Sequence, residues 1–107
     1  MKLIFAIVNS DDSSAVSAAL TRGGFFVTKL ASTGGFLMSG NTTFLICTEE
    51  EKIDQAISII GEHSRKRKQL VSSSVNFGLN TYTALPVEVT VGGATIIVTD
   101  VERFEKI

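Results

Sequence analysis

Apolar residues fall in short runs along this chain, and glycine, asparagine, aspartate or serine cuts off each run. Residues 2–8, KLIFAIV, are apolar and β-branched over a strand's length and predict a first strand. Asn9, Ser10, Asp11 and Asp12 then supply helix-capping side chains. Ala15, Val16, Ala19 and Leu20 recur at helical spacing, and Gly23 with Gly24 ends that helix, because glycine tolerates the left-handed cap. Residues 25–31 predict a second strand, residues 32–40 a glycine-rich loop and residues 41–48 a third strand.

Thr48, Glu49, Glu50 and Glu51 have the spacing of a capping box, with an acidic first turn suited to the helix dipole. Ile53, Ala56, Ile57 and Ile60 form the apolar stripe of a second helix. Arg65, Lys66, Arg67 and Lys68 follow near the expected helix end. The plainer reading of this run is a solvated helix end matched to the dipole; a phosphate clamp is the other. Residues 69–71 predict a short strand, and residues 72–84 are polar and read as a long loop, a length unusual unless functional or disordered. Residues 86–91 and 94–99 are joined by Gly92 and Gly93, a two-residue hairpin signal. Strand, helix, strand, strand, helix, strands is the order of a ferredoxin-like α+β fold, βαββαβ, with two helices on one face of an antiparallel sheet and a C-terminal hairpin.

The first strand changes this picture. Leu3, Phe5 and Ile7 point to one side, and Ile4, Ala6 and Val8 to the other. Two helices cover only one sheet face, and an open apolar face is an association surface. A second copy of the chain is the expected cover; the long loop folding back as a lid is the alternative.

Composition narrows the function. At 107 residues, with 44% hydrophobic and 20% charged residues, the chain makes one domain over residues 1–107. The net charge of −1 gives no bulk attraction to nucleic acid or an anionic membrane. No apolar run approaches the roughly 18 residues of a membrane span, and the first residues read as a strand and not as a signal peptide. A single cysteine fits a reducing, cytoplasmic setting, and a single histidine excludes a His-rich metal site.

Candidate chemistry centres on one loop. Gly35 to Thr42 reads GFLMSGNT, a phosphate-loop pattern with Asn41 in place of the lysine. That motif needs both the lysine and a following helix, and the residues after Asn41 predict a strand, so a triphosphate site fails. A glycine loop with an aromatic ring and an amide remains, able to hold base edges or phosphates; Phe36 could equally pack into a subunit contact. Asp11 and Asp12 read as capping residues before a metal pair, His63 as a surface helix residue, and Cys47 as a small apolar one. Gly92 and Gly93 read as a turn first and a phosphate cradle second. Phe77 and Tyr82, in the long loop, could close over a ligand or simply be mobile. No nucleophile, base and orienting group share one constellation, so an enzyme ranks last.

Residues 1–8, MKLIFAIV, residues 25–46, FFVTKLASTGGFLMSGNTTFLI, and residues 86–98, PVEVTVGGATIIV, resemble the PII-like cyclic-di-AMP receptors of Gram-positive bacteria. The resemblance implies a ferredoxin-like homotrimer that binds cyclic-di-AMP in each cleft between subunits, without catalysis, metal or other cofactor, and it leaves the downstream protein target unnamed. It implies that Thr28 and Asn41 hydrogen bond the ligand, and that Gly35, Phe36 and Leu37 wall one adenine. Thr28 and Asn41 lie on strands either side of the loop, so their side chains are expected to converge at its base. The chain departs from the family pattern at Phe26, where the family has arginine, at Cys47, where it has glycine, and in the tail Glu105, Lys106 and Ile107. A fold relative with another ligand, an adenine nucleotide or a metal, is the alternative.

Overall fold

The computed structural model describes residues 1–30, 40–72 and 86–107. Strand β1 is Lys2–Asn9. A 3-10 turn over Ser10–Asp12 leads into helix α1, Ser13–Arg22. Asn9 caps that turn, its Oδ1 accepting the Asp11 backbone N–H at 2.9 Å. At the far end the Gly23 N–H donates to Ala19 O at 3.0 Å, and Gly24 takes φ +89°. Strand β2 is Val27–Lys29, which starts later than expected. The reason is local: Phe25 is drawn into the core, and its N–H donates to Leu20 O at 3.0 Å, completing the helix stop.

Strand β3 is Asn41–Thr48 and helix α2 is Ile53–His63. The expected capping box does not form. A 3-10 turn over Glu50–Lys52 precedes α2, and Glu49 occupies the cap of that turn without a side-chain bond. Strands β4, β5 and β6 are Arg67–Ser72, Pro86–Val91 and Ala94–Asp100. Because α2 stops at His63, Arg67 and Lys68 belong to a strand and not to a helix end. The expected loops at residues 32–40 and 72–84 lie almost wholly outside the described residues.

The main sheet has the order β2-β3-β1-β6, antiparallel throughout, and β4 pairs with β5 in a separate ribbon. This is the expected ferredoxin-like α+β arrangement, with β6 as its fourth strand and the ribbon inserted between α2 and β6. Gly92 and Gly93 do form a turn, at φ +87° and +83°. It joins the two sheets instead of closing a hairpin on itself: β5 spends its ladder on β4, and β6 spends its ladder on β1.

Ile4, Ala6 and Val8 of β1 and Phe44 and Ile46 of β3 meet Val16 and Leu20 of α1 and Ala56 and Ile60 of α2 in one buried core. Both helices therefore lie on one face. Leu3, Phe5, Ile7 and Leu45, on the other face, are only half-buried, and Ile97 beside them is 52% exposed.

Candidate functional site

The register of β3 decides which side chains share a face. Phe44 and Ile46 point into the core, so Asn41, Thr43, Leu45 and Cys47 point away from the helices. Thr28 is opposite Leu45 and is exposed, which puts it on that same outer face. Asn41 is opposite Asn9, at the end of the sheet. Thr28 and Asn41 are thus brought to one surface, but they do not converge. Four residues of β3 separate their positions, about 13 Å along the strand. They suit two points on an extended ligand and not one atom. Between them lies Thr43, buried, with no partner for its hydroxyl among the described residues. Gly35, Phe36 and Leu37 lie outside the described residues.

Asn41 is set in place by the turn before it. Gly40 has φ +91°, and its carbonyl accepts the Ser10 N–H at 2.7 Å, so the chain enters β3 pinned to the end of β1. The Ser10 and Thr42 hydroxyls are 3.1 Å apart across the same junction. Asn41 runs into strand and not helix, as the failed phosphate loop requires.

A cleft of about 370 Å³ opens beside Asn41. Ile7, Val8 and Asn9 of β1 form one wall. Lys66, Thr90 and the Gly92 and Gly93 turn form another, with Thr95 of β6. Among the described residues Lys66 is the one charged residue lining it, and no carboxylate does. Two other cations of the basic run are committed elsewhere, Arg67 to Asp12 at 3.0 Å and Lys68 to Glu88 at 3.2 Å, and Arg65 is not among the residues lining the cleft. Lys66 has no ion pair among the described residues. A second cavity of about 360 Å³, on the helix side between α1 and β2, is lined by Ser17, Lys29 and Phe44 among others, and among the described residues neither Thr28 nor Asn41 lines it.

The perturbed titrations lie at the other end of the sheet. The hydrogen bond between Lys2 and Asp100 raises the lysine above its ordinary 10.5 and lowers the aspartate below its ordinary 3.8. Asp12 is buried against Arg67 and makes no side-chain cap bond, so it is structural in a way other than capping. Among the described residues no group of three or more acidic, histidine or cysteine side chains could hold a metal ion. Cys47 is half-buried on the outer face, opposite Leu3, and Phe26 is 90% exposed.

Asn9 and Thr90 line the cleft and were not among the sequence candidates, because only the fold brings β5 against the end of β1. One residue of the basic run, Lys66, and the glycine pair line the same cleft.

Compared with known families, residues 1–107 match the model described as cyclic-di-AMP receptor, over the whole chain. Among solved structures, a protein from Pediococcus pentosaceus ATCC 25745, described as functionally unknown, is 38% identical with a TM-score of 0.74. The match covers 99% of this chain and 96% of that one.

Proposed function

The chain belongs to the cyclic-di-AMP receptor family, and from that premise we propose that it is a signal-transduction protein binding cyclic-di-AMP in clefts between the subunits of a homotrimer. The observation that carries the reading is the outer face of the main sheet. It joins Thr28 and Asn41 to the incompletely covered Leu3, Phe5, Ile7 and Leu45, which supports a reading in which ligand contacts and a subunit interface share one surface. The cleft beside Asn41 is at the small end of the range for small-molecule sites, roughly 300–1,000 Å³. A cyclic dinucleotide overfills it and draws its remaining wall from a neighbouring subunit.

In this reading Thr28 and Asn41 hydrogen bond the ligand, and Gly35, Phe36 and Leu37 enclose an adenine. The protein acts by binding, not by catalysis, and works in the cytoplasm. Among the described residues, no helix is long and apolar enough to cross a membrane.

Thermal melting with candidate ligands tests the choice, since a ligand that binds only the folded state raises the melting temperature. Cyclic-di-AMP is expected to raise it by several degrees, and ATP or a divalent metal to leave it in place. A shift with ATP or metal and none with cyclic-di-AMP would select the alternative, a fold relative with another ligand.

A further inference from the structure

We propose that Lys66 is a phosphate-binding residue of the Asn41 cleft, held in position by the Gly92 and Gly93 turn. The proposal rests on the cyclic-di-AMP reading of the site and adds to it the group that meets the ligand's negative charge.

Three features of the cleft lead to this residue. First, its charge is one-sided. Among the described residues Lys66 lines it, no carboxylate does, and none pairs with Lys66. A cation left without a counter-charge in a concave site attracts an anion. Arg67 and Lys68 differ, since each already has a carboxylate within 3.2 Å.

Second, the lysine stem is seated. A side-chain carbon on Gly93 would lie 3.0 Å from Lys66 Cγ and 3.2 Å from Cε, so glycine lets the stem lie closer to the turn than a larger residue would. A carbon on Gly92 would lie 2.4 Å from Arg65 O, which is excluded outright. Both glycines also have positive φ. The Gly93 N–H donates to Ser64 O, which ties the turn to the residue just after α2. The turn thus fixes where the segment carrying Lys66 passes the cleft.

Third, the opposite wall offers a donor. The Asn9 Oδ1 is occupied by the Asp11 N–H, so the amide N–H₂ is the end Asn9 has left to give. An ammonium on one side and an amide donor on the other suit a phosphate oxygen, whose charge strengthens both hydrogen bonds.

Calorimetric titration with cyclic-di-AMP, at low and at physiological salt, tests this on Lys66→Gln, Lys66→Arg and the control Lys52→Gln. Lys52 is exposed in the turn before α2 and does not line the cleft. Lys66→Gln is expected to bind about tenfold more weakly, the scale of one lost charge-assisted bond. Its affinity should also depend less on salt, because one screened attraction is gone. Lys66→Arg should keep most of the affinity, and Lys52→Gln should match the wild type. Lys66 is exposed, so melting temperatures should agree across the set. If Lys66→Gln matches the wild type in affinity and salt dependence, this inference fails while the receptor reading stands. If the wild type itself gives no heat with cyclic-di-AMP, both fail together.

Discussion

Asn41 follows a left-handed glycine and stands opposite Asn9, so its side chain has a fixed origin at the end of the sheet. Thr28 is exposed on a three-residue edge strand and contributes little to the core. Replacing either by alanine should weaken cyclic-di-AMP binding by about 1–3 kcal/mol, the cost of leaving a polar ligand atom unpaired. Calorimetry checks the loss, and unchanged affinity in both variants would remove these residues from the site. The sequence offered both as candidates through the family resemblance, but it did not offer their spacing. Flanking one loop suggested convergence, whereas the pairing of Thr28 with Leu45 sets them four residues apart on the outer face. Register between strands depends on the whole sheet, and no local run of residues states it. Phe26 is a residue of the same kind: its departure from the family was readable, its 90% exposure was not.

Helix α2 shows at the scale of one element what periodicity reads and what it misses. Ile53, Ala56, Ile57 and Ile60 fit the helical stripe, yet Ile57 is 36% exposed and Ile59 packs on the core in its place. The cause is Gly23 at the end of α1, whose missing side chain leaves room for Ile59: a carbon there would lie 2.9 Å from Ile59 Cδ1. That contact spans two helices, so the pattern within α2 could not announce it. Ile60→Ala should cost about 2–5 kcal/mol of stability, because Ile60 is fully buried. Ile57→Ala should cost about 1 kcal/mol or less. Urea denaturation separates the two, and equal costs would contradict this orientation of the helix. The glycine turn taught a similar lesson. Two glycines between apolar runs correctly marked a tight connection, but its partners were decided by β1 and β4, distant in sequence.

Over the whole molecule, the legible quantity was the excess of apolar surface. Strand β1 is apolar on both sides, and the helices bury Ile4, Ala6 and Val8 while Leu3, Phe5 and Ile7 stay half-buried. That imbalance favours association, since a soluble surface does not keep a contiguous apolar patch without cause. The chain belongs to a family described as cyclic-di-AMP receptor, and the proposed function puts the meeting of subunits and ligand on the outer face. The charge proposed to meet the ligand was visible only as a basic run, because pairing of Arg67 and Lys68 together with the lining of the cleft sets Lys66 apart in three dimensions.

The most direct measurement is a calorimetric titration of cyclic-di-AMP into protein whose mass in solution has been fixed by light scattering. The account predicts a mass of three chains and one ligand bound per chain. A stable monomer across micromolar concentrations, or no heat with cyclic-di-AMP at high micromolar concentration, would contradict it.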